Sequence, residues 1–300
     1  MRTKTYLFAL MAMALTLGSC SDNENGIGGE TSKYITVSTS IGNMTRVATD
    51  EKGGQTFEEG DEISVYAWTG APTVAPETSE RVVNNAINKL TNGSWVATPQ
   101  MLWKNNRDKH YFIGVYPVSA ISDLSAGEYT FDETKQVESD LLVAVNKDGL
   151  SYNVDEQQPV PLTFTHVMAK LVVNLTYKNQ WGGIPTVEKV VVGNAAKEAT
   201  INFLTKVVTP STTAKEDFSL PEITENTKYV SVIIPQEDVK QLTIVIGGKN
   251  FVYDNGTPFK LESGKITTVN LEVGRDEIKL GDVKITDWEN GSTFSGEALN

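Results

Sequence analysis

Cysteine is nearly missing from this chain. Its 300 residues carry one, Cys20, so no disulfide framework, zinc cluster or further thiol chemistry can be built. Histidine is almost as scarce: His110 and His166 lie far apart, neither with a second imidazole or thiol at ligand spacing, and no metal site is expected. Basic side chains number 26 against 38 acidic ones, a formal charge of −12, which excludes a sequence-independent nucleic-acid binder because that role needs a cationic footprint. Helical periodicity is rare, and residues 77–90 form the one stretch that could hold a turn or two. No G-x-S-x-G elbow, P-loop or H-E-x-x-H occurs. Carboxylates are plentiful, which leaves a glycoside hydrolase as the enzymatic alternative, yet Glu58-Glu59-Gly60-Asp61-Glu62 before an apolar run reads as a turn. The expectation is therefore a non-enzyme with no catalytic residue and no cofactor. With 39% apolar and 21% charged residues, the chain has ample material for a core.

Arg2 and Lys4 precede an apolar run from Tyr6 to Leu17, long enough for a signal peptide and short for a membrane span. The run closes with Leu17-Gly18-Ser19-Cys20, which resembles the bacterial lipobox. That resemblance implies that 1–19 is a signal peptide and that Cys20 becomes the lipidated first residue. Losing Arg2 and Lys4 would take the charge from −12 to −14. Acyl chains stabilise membrane attachment by about 0.8 kcal/mol per buried methylene. Residues 20–33 form an acidic, glycine-rich tether without apolar periodicity, similar to the surface-export signal of Bacteroidetes lipoproteins.

From Tyr34 the apolar period is two: Ile35, Val37, Thr39 and Ile41 face one way and Thr36, Ser38 and Ser40 the other. Runs rich in β-branched and aromatic residues follow at 63–68, 109–116, 141–145, 160–165, 171–177, 187–192, 229–234, 242–246, 266–273 and 283–288. The fold class expected is all-β, with two antiparallel β-sandwich domains in tandem. Polar residues and prolines at 155–161 suggest a junction, which gives an N-terminal sandwich over 34–158 and a C-terminal one over 159–300. Trp68 and Trp288 alternate with core residues, whereas Trp95, Trp103 and Trp181 lie in or near turns, where they could stack against a glycan or fill space under loops. His166, on the face of Leu162 and Phe164, reads as a hydrogen-bonded core or interface residue, and His110 as a strand-edge residue.

Several local patterns together resemble the fimbrillin-like lipoproteins of Bacteroidales, the subunits of type V pili. They are the lipobox at Cys20; Thr45-Arg46-Val47 after the first strand; Phe57-Glu58-Glu59-Gly60-Asp61-Glu62-Ile63-Ser64-Val65-Tyr66-Ala67; His110-Tyr111-Phe112 to Tyr116-Pro117; Ser139-Asp140-Leu141-Leu142-Val143-Ala144; Pro161 to His166 followed by Lys170-Leu171; and Ile285-Thr286-Asp287-Trp288. The resemblance implies two transthyretin-like sandwiches in one elongated subunit, displayed on the outer membrane and in fimbriae. It implies cutting by an arginine-specific protease between Arg46 and Val47. The implied partners are other fimbrial subunits joined by β-strand addition, the outer membrane through lipid on Cys20, and a host protein or glycan ligand. No nucleic acid is implied.

The physical logic concerns the first strand. If Ile35, Val37, Thr39 and Ile41 fill the first sandwich, the three aliphatic side chains contribute about 1.5–3 kcal/mol each, and ladder bonds add about 0.5–1.5 kcal/mol apiece. Losing the strand would cost on the order of 10 kcal/mol, comparable to a domain's whole stability. It would expose an apolar groove edged by unpaired backbone, a template for another chain's strand. The C-terminal tail from Glu289 to Asn300 does not alternate as a free donor strand should, so stalk, tip and accessory roles all stay open. The alternative reading is a glycan-binding surface lipoprotein that does not polymerise.

Overall fold

The computed structural model describes residues 33–42, 56–136, 138–153 and 158–288. In chain order its strands are β1 (Val37–Ile41), β2 (Glu62–Thr69), β3 (Val83–Thr91), β4 (Ser94–Thr98), β5 (His110–Tyr116), β6 (Gly127–Thr130) and β7 (Leu142–Leu150). Then follow β8 (Val160–His166), β9 (Ala169–Tyr177), β10 (Val187–Ala196), β11 (Glu198–Asn202), β12 (Val207–Pro210) and β13 (Lys215–Leu220). The chain continues through β14 (Glu222–Thr224), β15 (Lys228–Ile233), β16 (Gln236–Ile246), β17 (Lys249–Leu261), β18 (Lys265–Val273) and β19 (Ile278–Asp287). The fold is all-β, and among the described residues the one helical turn is a 3₁₀ turn at Thr78–Glu80.

The strands form four sheets. The first has the order β1-β8-β7-β5-β2-β3-β4, the second β14-β15-β9-β18-β19, the third β13-β10-β16-β17, and a small fourth β12-β11-β6. β2 and β5 sit inside the first sheet and are buried on both faces, as their unbroken apolar runs require. One face of that sheet presents Ile63, Val65, Phe112, Leu142, Leu162 and Phe164 to a core shared with Ile35, Val37 and Ile41. The other presents Tyr66, Trp68, Ile113, Val115 and Val143 to a core that continues through Leu171, Val190, Ile244 and Leu271 of the C-terminal half. Arg81 braces the second face: its guanidinium donates to Ile121 O at 2.7 Å and to Asn84 Oδ1 at 2.9 Å, and lies 5.4 Å from the Tyr66 ring.

Three sequence expectations change. The stretch at 77–90 is a 3₁₀ turn followed by β3, not a helix. Asn85 has φ 55°, and the β2–β3 register shifts beside it, which moves the buried residues to Val83 and Ala86, a spacing that imitates a helical face. Second, the expected junction does not coincide with a sheet boundary. β8 belongs to the first sheet, between β1 and β7, and the chain crosses to the second sheet through Val167 and Met168, both buried. Third, the pairing is not wholly antiparallel: β1 lies parallel to β8, and β9 parallel to β18.

The two halves are also stitched together. β6 of the N-terminal half pairs with β11. Gln136 Oε1 accepts from Val232 N at 2.8 Å and from Ser231 Oγ at 3.2 Å, and Glu133 Oε2 accepts from Ser219 N at 3.0 Å.

Candidate functional site: a closing strand and its groove

β1 is an edge strand with one neighbour, β8, paired from Val37 opposite Val160 to Ile41 opposite Phe164. Val160 N donates to Thr36 O at 2.8 Å and Gly42 N donates to Phe164 O at 2.8 Å. These two bonds set the phase: the even-numbered residues of β1 turn their backbone groups toward β8, and Val37 and Thr39 turn theirs away. Ile35, Val37 and Ile41 are buried, Thr39 is half-buried, and Ser38 and Ser40 are exposed, so the four residues expected on one face do share it.

The first sheet rolls until its two outermost strands, β1 and β4, meet. Just before β1, Ile35 N donates to Met101 O at 2.9 Å and Lys33 O accepts from Trp103 N at 3.1 Å, with Tyr34 bridging Leu102. Farther along, the gap is crossed by a side chain: Trp95 Nε1 of β4 donates to Thr39 Oγ1 at 3.0 Å. Between these ties the sheet does not close. A groove of about 610 Å³ runs along the outer side of β1, lined by Val37, Thr39, Ile41, Phe57, Leu90 and Trp95 among others, and among the described residues no charged side chain lines it. Phe57 fills its floor, edge-on to Trp95 at 5.3 Å and to Phe164 at 5.1 Å. Among the described residues the groove thus has one sheet edge on each side, uncharged walls and an aromatic floor, a shape suited to an extended polypeptide.

Sequence reasoning missed both the parallel partner and the Trp95 tie. Asn92-Gly93, at φ 51° and 72°, was the signal for the β3–β4 hairpin that carries Trp95. Cys20, Arg46 and Val47 lie outside the described residues, as does the tail from Glu289.

The tryptophans offered as glycan platforms are all engaged. Trp95 is tied as above, and Trp103 packs edge-on against His110 at 5.0 Å and Phe112 at 5.7 Å. Trp181 donates to Val273 O at 3.0 Å, meets Phe251 edge-on, and has Arg275 5.6 Å from its ring. The acidic turn is likewise structural. Glu59 accepts from Asn92 N at 2.7 Å, Glu62 pairs with Lys89 at 3.0 Å, and Asp61 Oδ2 accepts from Glu58 N at 2.7 Å. His110 is fully buried rather than at an edge: Nε2 accepts from Lys104 N at 3.1 Å, Nδ1 faces Asp108 O at 3.1 Å, and burial pushes its pKa down. His166 is buried at the meeting of the halves, 2.8 Å from Asp140 Oδ1 through Nδ1 and stacked on Trp288 at 4.0 Å.

The fold is all-β with an edge strand beside an open groove, and comparison with known proteins gives it a family. The fimbrillin-like family model matches residues 45–288, and the chain belongs to that family. A candidate cell adhesion protein from Bacteroides ovatus superposes with a TM-score of 0.62 at 18% identity, covering 85% of this chain and 98% of that one. One from Bacteroides uniformis gives 0.63 at 17% identity, covering 85% and 98%. The tip fimbrial protein from Porphyromonas gingivalis, with its C-terminus truncated, gives 0.50 at 12% identity, covering 77% and 95%. No curated protein sequence matches the chain significantly.

Proposed function

We propose that this protein is a noncatalytic structural or adhesive subunit of cell-surface fimbriae, held on the outer membrane by lipid on Cys20. In this reading a cut between Arg46 and Val47 frees the segment that contains β1, and a strand from another subunit takes its place. The observation that supports it is the position of β1, an edge strand with one partner that buries Ile35, Val37 and Ile41 in the first core. Removing it uncovers the apolar face behind β8 together with the edge of β8 itself, and a strand of the same period would satisfy both.

Digestion with an arginine-specific protease tests the reading. Cut protein is expected to convert from monomer to oligomers that resist dissociation, and Arg46→Ala to remain monomeric under the same treatment. Cut protein that stays monomeric, or unfolds without accepting a strand, would overturn assembly by strand exchange.

A further inference from the structure

We propose that β1 is a directional clamp, strong against a pull through its own N-terminus and weak against peeling. The reason lies in which ends of the two strands coincide. Because β1 is parallel to β8, the chain enters β1 beside Val160 and leaves it beside Phe164. The rest of the molecule hangs from the Phe164 end: β8 stops at His166, the crossover Val167–Met168 follows, and His166 is stacked on Trp288 at the close of β19.

A load between the N-terminal tether and the body therefore runs along the strand axis. It falls on the β1–β8 bonds together and drags Ile35, Val37 and Ile41 out of their core sites in one step. The bonds of Ile35 to Met101 and of Lys33 to Trp103 stand in the same path. An antiparallel β1 would have its entering end beside His166, next to the load, and its bonds would open one at a time. Parallel pairing is slightly weaker per residue at equilibrium, so its presence at this edge is not explained by stability alone. Its effect is kinetic: the barrier to forced extraction rises, while a competing strand can still replace β1 bond by bond from its Gly42 end.

The clamp stands on sheet geometry. That its natural load enters through a lipidated Cys20 rests on the proposed function, and the experiment applies the load there mechanically, so a failure of lipidation or of strand exchange would not alter its outcome.

The full chain is pulled in a single-molecule instrument from its own Cys20 thiol, in two variants that differ only in the second handle. In Glu138→Cys the handle stands near the Leu142–His166 end of the first sheet, and in Gln158→Cys it stands at the Val160 end; both positions are exposed. Release of β1 is expected to need a several-fold higher force in the Glu138→Cys variant, or to be preceded there by unfolding of another element at such a force. Equal release forces, or a lower one in the Glu138→Cys variant, would overturn the proposal. Matching urea midpoints for the two variants establish that both are folded.

Discussion

Trp95 Nε1 donates to Thr39 Oγ1 at 3.0 Å, and this bond joins the two outermost strands of the first sheet. Trp95→Phe keeps an aromatic ring against Phe57 and removes the donor together with the second ring of the indole. A partly buried hydrogen bond of this kind contributes about 1 kcal/mol. The substitution should lower unfolding stability by at least that amount and raise amide exchange at Ser38 and Ser40, whose N–H groups face β8, more than at the central strands. Uniform acceleration across the first sheet would mean that Trp95 supports the roll as a whole rather than the seam.

Gly114 of β5 faces the ring of Phe164. A Cβ there would lie 2.6 Å from Phe164 Cζ and 3.1 Å from Leu162 Cδ1. Gly114→Ala forces the ring toward β1, whose Ile41 stands opposite Phe164. Overpacking of this sort costs about 1–3 kcal/mol, measurable by urea denaturation. Combined with Phe164→Leu, the loss should fall short of the sum of the two single changes, because both act on one contact.

Lys170 gives the fold an alkaline signature. It is 4% exposed, with its amino group 5.3 Å from the Trp288 ring. Burial lowers its pKa to about 8, Asp140 opposes that shift and Lys228 adds to it. Below pH 8 both folded and unfolded chains carry the proton, and the fold bears the full cost of the buried charge. From about pH 8 toward the ordinary lysine value of 10.5, the unfolded chain holds a proton that the folded chain has released, so stability rises with pH. The slope should approach about 1 kcal/mol per pH unit. Tyr177, raised to about 12 chiefly by burial, works the other way once unfolded tyrosines ionise near 10. Unfolding curves between pH 7.5 and 9.5 should show the rise in the native sequence and a shallower one in Lys170→Met, where Lys206, also pushed down by burial, still contributes in the same direction.

Cys20→Ser removes the one thiol available for acylation. Expressed in a bacterium that processes lipoproteins, the native sequence is expected in the detergent phase after phase partition and the variant in the aqueous phase. Equal partition of the two would remove lipid anchoring from the proposed function.

The alternation at Ile35, Val37, Thr39 and Ile41 was legible because one face of β1 is buried and the other wet. Its partner was not, since a period of two carries no direction and parallel pairing leaves no local mark. The prolines at 159 and 161 misled for a physical reason. Val160 N donates to Thr36 O, so Pro161 turns its nitrogen toward β7, and β7 has already parted from β8 beyond Ala144–Phe164. A proline fits there without losing a ladder bond. The true crossing is short and apolar, the opposite of a linker. The apolar series Ile278, Leu280, Val283 and Ile285 slips phase at Gly281-Asp282 because Gly281 is the extra residue of a bulge between the Leu271–Leu280 and Asn270–Asp282 pairs, which lets Leu280 and Val283 share a face.

The small sheet β12-β11-β6 draws one strand from the N-terminal half and two from the other. Neither half is a portable module. Excising one would orphan a hydrogen-bonded edge and bare the continuous core beneath it, so recombination between relatives should preserve whole subunits, with new variety arising in surface loops instead of by exchange of halves.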